Sequence, residues 1–427
     1  MRESRIIVVL TLALAAATAG SAAASGFGLF QHGGRAMGQV GAFTARASEP
    51  SATTYNPAAI TRLSGFQFQA GLDFNNAEDE YSSRTGSFAA KHVIQFPPAL
   101  YATYKPEDLP IAFGIGVDSP FYYAVDWEPR LFPGRFLNRR FEMRVFEVHP
   151  VLAYDLGDGW SVGGGVRYVF GSLEQEDNAI IPVFATTQTV PVEIERNVSA
   201  DVDDIAWDVA LHYADNAWGW GAVYRSPVRL KGNGDVKYNP RDVPQGVPGL
   251  QSALDGRFQQ SGASESFELP REVRGGLWVA PYPELRLELD LAYQTWSSLE
   301  NTDVTINNDA FGDGPTVRTP RDWEDTLSIR FGLEGDITDR FALNGGVAFE
   351  PSPVPDRTVE PGFPRGDAWV YAAGFSYSFP DISFDVGYSR HQHDNRGGPR
   401  QEPLNPTVNG SYSATDQVWG FAVRWRK

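Results

Sequence analysis

The side chains able to do chemistry in this chain are few. There are six histidines and no cysteine. Two histidines share one stretch, His391-Gln392-His393-Asp394, which could hold a metal ion. No second ligand cluster stands at metal-binding spacing, and the plainer reading is a solvated loop. A Gly-rich phosphate loop, a G-x-S-x-G elbow and a zinc motif are all missing. Cysteine catalysis, thiolate-bound metals and a disulfide framework are excluded. No cofactor and no metal are expected, and the protein is read as a non-enzyme. A barrel hydrolase with a site assembled from separated loops is a minor alternative.

Two other sets of residues have readable chemistry. Asn56-Pro57-Ala58 suits a helix start, because the Asn side chain can accept a free backbone N–H and Pro at the first helical position gives up no needed donor. Ala58 to Leu63 would then form a short helix. Phe27, Leu29 and Phe30 form an apolar start to the same segment, Ser25 to Gly65. Water would not favour them, whereas a greasy pocket would, since burying one such side chain stabilises by roughly 1.5–3 kcal/mol. They either border a ligand pocket or pack the segment itself.

The elements that must position these residues are strands. From Leu285 to Tyr293 the odd positions are apolar, whereas the even positions include Arg286, Glu288 and Asp290. Similar segments fall near 65–75, 92–104, 111–119, 141–154, 160–172, 204–213, 218–230, 266–279, 285–296, 326–335, 340–350, 368–379, 382–390 and 416–426. That makes about fourteen strands. Short turns follow the even strands. Long loops follow the odd ones, as at 118–140, 173–203, 231–265, 297–325 and 391–415. Sorting by parity is a feature of transmembrane antiparallel β-barrels. Aromatics near strand ends, such as Trp218, Trp220, Trp369, Tyr371, Tyr388, Trp419 and Trp425, suit interfacial girdles. The opposite series, including Gly163, Gly165, Arg167, Asp208, His212, Arg330, Glu334 and Asp385, is read as the lumen face. In a barrel the Gly- and Ala-rich segment before the first strand has one place to go, the lumen, as a partly helical hatch.

Charge and the N-terminus fit this placement. The net charge is −17, which argues against nucleic acid as a partner. Arg2 and Arg5 precede an apolar run from Ile6 to Ala17 and the small residues 21–24, the pattern of a secretory signal. The run is too short for a spanning helix, which needs roughly 20 residues. The expected division is a signal peptide at 1–24, a hatch at 25–64 and a barrel at 65–427, in a Gram-negative outer membrane.

The chain resembles the FadL-type family of outer-membrane transporters for long-chain fatty acids and other hydrophobic compounds. The resemblance rests on Gly26-Phe27; Asn56-Pro57-Ala58; Trp160-Ser161 with Gly163 and Gly165; Tyr224-Arg225-Ser226; Leu269-Pro270; Leu291-Ala292-Tyr293 with Trp296-Ser297; and Val347-Ala348-Phe349 followed by Ser352-Pro353-Val354-Pro355. These occur in family order across nearly the whole chain. The resemblance implies a plugged fourteen-stranded barrel that takes up hydrophobic compounds passively, gated by its ligand. Capture is by extracellular loops, release by movement of the N-terminal hatch, and exit sideways near a distorted third strand. That strand holds Gly114, Gly116 and Pro120; the two glycines mark either a bulge or space for the hatch. Fatty-acid carriers place basic groups at the pocket. Arg167, Arg225 and Arg330 are the lumen-facing candidates, although each could instead neutralise carboxylates such as Asp208 or Glu334. The expected partners are a hydrophobic small molecule, outer-membrane lipid and the barrel assembly machinery, with the protein acting as a monomer. Such proteins usually end on an aromatic residue, and this chain runs Arg426 and Lys427 past Trp425. A general diffusion porin is the alternative, disfavoured by some forty residues before the first strand.

In detergent the protein is expected to give a β-dominated circular dichroism spectrum and heat-modifiable gel mobility. A soluble monomer without detergent would contradict the barrel.

Overall fold

The computed structural model describes residues 33–127, 132–312, 314–397 and 409–427. The leader and Phe27, Leu29 and Phe30 lie outside the described residues. Among the described residues fourteen strands form one wall: β1 (Gly65–Ser83), β2 (Pro98–Lys105), β3 (Ile111–Asp126), β4 (Arg140–Gly157), β5 (Trp160–Ala185), β6 (Gln188–Ala214), β7 (Trp218–Arg225), β8 (Glu272–Tyr282), β9 (Leu285–Gln294), β10 (Thr326–Asp336), β11 (Phe341–Glu350), β12 (Ala368–Ser378), β13 (Ile382–His393) and β14 (Ser411–Arg426). Each pairs antiparallel with the next. β14 pairs back onto β1 from Gln67↔Arg426 to Ser82↔Ser411, and the sheet is a closed barrel. Closure leaves no edge whose N–H and C=O groups would go unpaired in lipid. No helix of the described residues is long and apolar enough to cross a membrane.

Alternation sets the two faces. On β9 Leu291 and Tyr293 are 41% and 42% exposed, whereas Glu288 and Asp290 are 1% and 0%. Charge inside and large apolar groups outside invert the pattern of a soluble protein and fit a lipid-facing wall. Trp369, Tyr371, Trp419 and Trp425 all project outward. Tyr388 and Trp419 lie opposite each other across β13 and β14, with ring centroids 4.7 Å apart. The even strands end in turns of two to five residues, at the same end of the barrel as Gly65 and Lys427, whose N–H donates to the Phe66 carbonyl.

The long connections at the other end differ from expectation. Residues 173–203 form no loop. β5 and β6 pair without a break from Trp160↔Tyr213 to Ala185↔Gln188. The two-residue period continues past the membrane, and Ile181, Val183, Val190, Val192 and Ile194 bury one face of the hairpin. Residues 228–241, 261–269, 301–306 and 316–320 are further strands of this outer sheet, with a helix, α3 (Leu250–Arg257), packed among them. β3 likewise runs on to Asp126. His391 and His393 are on β13, not in a solvated loop. His393 Nε2 is 3.2 Å from Asp416 and His391 Nδ1 is 3.9 Å from Glu350.

Inside the barrel, residues 33–64 fold into α1 (Gly34–Met37), α2 (Ala52–Tyr55) and a 3₁₀ helix over Pro57–Arg62. Phe43, Ala52, Tyr55 and Ile60 pack with Ala112, Val151 and Ala153 of the wall. Some wall positions must lack a side chain for this to fit. A Cβ on Gly163 would come 2.8 Å from the Ala58 nitrogen, and one on Gly387 2.2 Å from the Gly34 carbonyl. Gly163→Val should therefore displace the 3₁₀ helix. The barrel is expected to keep its heat-modifiable mobility while conductance in planar bilayers rises. Conductance equal to the parent's would mean that this contact does not seal the lumen.

Candidate functional site

The hatch is short and irregular, so much of its backbone has no partner within its own helices. The wall supplies partners. Asp290 Oδ2 accepts from the N–H groups of Phe43 and Thr44, both at 2.9 Å. Glu288 Oε1 accepts from Ala45 at 2.7 Å and Arg46 at 3.2 Å. Gln69 accepts from Ser51 N–H, and His212 Nε2 lies 2.8 Å from the Ala45 carbonyl. Asn56 has an extended backbone. Its Oδ1 accepts from Ala58 N–H at 3.1 Å, with Pro57 at the first helical position. Its Nδ2 donates to the Thr44 carbonyl at 2.9 Å and the Leu211 carbonyl at 3.2 Å. Ala58 is buried, and its carbonyl accepts from Ser161 Oγ.

Charge adds a second set of anchors. Arg35 holds Glu334 through two hydrogen bonds of 2.7 Å. Arg46 lies 3.6 Å from the same carboxylate. Glu49 of the hatch is 3.5 Å from Arg35 and 3.6 Å from Arg424. Bidentate guanidinium–carboxylate pairs fix orientation as well as distance.

The three arginines considered as ligand contacts are all committed to carboxylates. Arg167 donates to Glu147 Oε2 at 2.9 and 2.6 Å. Arg225 reaches Glu147 at 3.5 Å and donates to the Thr54 carbonyl at 3.1 Å. It also approaches Asp208 at 4.0 Å. Arg330 lies in a different part of the lumen and pairs with Glu350 at 3.3 Å. Removing one partner of such a buried pair costs about 3–5 kcal/mol, so these groups are tied to the wall's own stability.

Above the hatch the lining changes character. Phe121, Tyr123, Trp127, Phe132, Phe141, Phe267, Trp296, Trp323 and Phe363 form a buried aromatic cluster. Their rings meet at 4.5 to 6.4 Å. An outer apolar cluster follows between the strand extensions, with Val183, Val192, Val236, Leu254, Val304 and Ile306. Beside it lies a cavity of about 310 Å³ of mixed lining, with Phe136, Val198, Val304, Phe311 and Val317 on one side and Glu176, Asp177, Asn178, Arg196, Arg321 and Glu360 on the other. The sequence reading missed these residues because most fall in stretches taken as loops. A signal was present: Phe121, Tyr123, Val125 and Trp127 keep the two-residue period, and all four join the aromatic cluster.

Among the described residues, the seam between β2 and β3 has a long break in its ladder. β2 pairs with β3 only from Tyr104↔Phe113 to Leu100↔Val117. Beyond that β3 pairs with β4 alone, through a bulge in which Ser119 and Pro120 oppose Phe146. Pairing toward the β2 side resumes at Lys91 N–H, which donates to the Asp126 carbonyl. Pro97, Pro98 and Pro120 border the break, and none has an N–H to give. Of the three candidate exit residues, Pro120 lies at the bulge. Gly114 and Gly116 lie in the paired part, where an added Cβ would stand 2.7 Å and 3.0 Å from Thr53 of the hatch.

Comparison with known proteins follows the same lines. A family model described as outer membrane protein transport protein (OMPP1/FadL/TodX) matches residues 15–426. A long-chain fatty acid transport protein of Escherichia coli O6:H1 is 25% identical over 384 residues, covering 83% of each chain. A 47 kDa outer membrane protein of Pasteurella multocida is 22% identical over 448 residues, covering 100% of this chain and 99% of the relative. Among solved structures, a Pseudomonas aeruginosa FadL homologue superposes with a TM-score of 0.82 at 18% identity, over 94% of this chain and 100% of that one. The Pseudomonas putida toluene transporter TodX gives 0.67 at 15% identity, over 93% and 98%.

Asn56→Ala should cost about 1 kcal/mol for the cap alone, and it also removes two donors to the hatch and wall. The expected result is faster amide hydrogen exchange across residues 42–62, with β6 exchange unchanged. Equal protection in parent and variant would show that the cap does not hold the hatch.

Proposed function

The chain belongs to the outer membrane protein transport family (OMPP1/FadL/TodX), and from that premise we propose that it carries hydrophobic compounds passively across a Gram-negative outer membrane. The observation that carries this reading is the aromatic cluster above the hatch. It lies in a lumen otherwise lined by charge, and it adjoins the outer apolar cluster and cavity. A porin for polar solutes has no use for such a lining.

In this proposal a hydrophobic compound enters from the extracellular strand extensions and reaches the aromatic cluster. Movement of the N-terminal hatch then releases it. The compound leaves sideways through the seam between β2 and β3, beside the Pro120 bulge. Fatty acids, as for the E. coli relative, and toluene-like hydrocarbons, as for the P. putida neighbour, bracket the substrate range. The short β2–β3 ladder supports the lateral route, because a wall opens most cheaply where fewest hydrogen bonds must break. Committed arginines support release without a fixed counter-ion. Gly114 and Gly116 serve the hatch contact in this reading, and the exit role falls to Pro120.

Deleting Pro120 tests the route, since it restores one residue of β3 for each residue of β4 across the bulge. Uptake of a hydrophobic compound by cells is expected to fall at least about tenfold, while affinity in detergent stays within about twofold. Uptake at the parental rate with a regular third strand would rule out exit at this seam.

A further inference from the structure

Glu265 stands between the two apolar clusters, near a cavity whose wall also carries Glu176, Asp177 paired with Arg196, Arg321 and Glu360. On the strand Ser261–Leu269 the inward face carries Ala263 of the outer cluster, then Glu265, then Phe267 of the inner one. The Glu265 residue is 4% exposed, and its Oε2 has no hydrogen-bond partner. Its cross-strand neighbours are Gly232, which brings no side chain, and Val304, which lines the 310 Å³ cavity. Arg321 on the cavity wall is the opposite charge facing it. That guanidinium already binds Glu360 and Thr302. The other charges on the adjoining strands project to the solvent side, where Arg229 pairs with Glu268 and Arg318 with Asp303.

We propose that Glu265 is a specificity-determining residue at the neck between the outer cavity and the inner aromatic cluster, and that it selects uncharged hydrophobic compounds over carboxylates. This rests on the hydrophobic-transport reading above and narrows its substrate class. The unpartnered oxygen can meet a hydroxyl or a bare hydrocarbon, whereas an entering carboxylate would be a second negative charge in a dry neck. The guanidiniums next to the inner cluster offer no rescue. Arg321 holds Glu360, Arg330 holds Glu350, Arg365 holds Asp79 and Asp416, and Arg274 holds Glu272. Burial pushes the Glu265 carboxyl up to about 7, with Arg321 opposing, so the neck becomes negative as pH rises past neutrality and neutral in mild acid.

The test uses the full chain in detergent, with quenching of intrinsic tryptophan fluorescence as the readout. The probes are a medium-chain primary alcohol and the carboxylate of equal length, at a pH about 1.5 above the Glu265 value. The parent is expected to bind the alcohol at least about tenfold more tightly, and Glu265→Gln to bring the ratio within about threefold by tightening the carboxylate. An alkyl sulfonate, charged at every pH used, gives a measurement independent of any variant: the parent should bind it more tightly in mild acid than above neutrality. Parental binding of the carboxylate as tight as the alcohol, unchanged in Glu265→Gln and with no pH effect on the sulfonate, overturns the selection and leaves hydrophobic transport standing. Failure of the parent to bind any of the three overturns both.

Discussion

The structure depends on a plug whose backbone is satisfied by the wall around it. A segment with only short helices carries many N–H and C=O groups that a lumen must either solvate or bond. Here Glu288 and Asp290 of β9 each take two hatch N–H groups. This explains why the inward face of β9 is acidic. A carboxylate accepts several donors at once, and bonds to a charged acceptor are stronger than neutral ones. It also explains the small wall residues, since a backbone can reach a carboxylate only where no side chain stands between. Gly276 supplies that close approach, where an added Cβ would meet Asp290 and stand 3.0 Å from the Ala45 nitrogen, and Gly163 and Gly387 let other parts of the hatch backbone lie directly on the wall.

A wall built this way accumulates buried charge, and the charge has to be paired. Arg35 and Arg46 of the hatch answer Glu334, and Arg424 of the wall answers Glu49 of the hatch. The pairing runs in both directions across one interface, so neither hatch nor wall is electrostatically complete alone. The same logic governs the level above, where Glu147 binds Arg167 and Arg225. Those arginines looked from the sequence like possible ligand contacts. Their type and inward face were legible; the partner was not, because Glu147 lies on β4, 20 residues from Arg167 and 78 from Arg225, and the strand register decides which inward side chains meet.

Other features divide in the same way. Strand faces, strand parity and the Asn56-Pro57 cap depend on neighbours one to three residues away, and these were readable. The 3₁₀ geometry of Pro57–Arg62 was not, because it follows from the space between β5 and the hatch. The outer strands were hidden by their turn-forming residues. Gly232, Gly234, Pro182 and Pro191 argue for loops by local preference, yet long antiparallel pairing and the burial of Val183 and Val192 override it. His391 and His393 show the same limit. Their spacing suggested a metal or a solvated loop, whereas β13 pairing turns them toward Glu350 and Asp416.

The seam between β2 and β3 is best understood against closure itself. A closed barrel spreads its hydrogen bonds around the circumference, and in a membrane each unpaired backbone group costs several kcal/mol. A break is tolerable only where donors are absent or replaced. Pro98 and Pro120 bring no N–H to the break, and Pro97 before them is turned to β1, its carbonyl accepting from the Asp73 N–H. Gln95, 3% exposed, replaces part of what is lost. With its amide oriented to suit both groups, it donates to the Tyr122 carbonyl at 3.3 Å and accepts from Ala124 N–H at 2.8 Å. One side chain thus bridges where a ladder would run. A side-chain bridge can rotate away without unzipping neighbouring pairs, whereas a ladder rung cannot. Over this stretch a side chain thus stands in for the β2–β3 ladder, at a place that borders both the hatch at Thr53 and the aromatic cluster at Phe121.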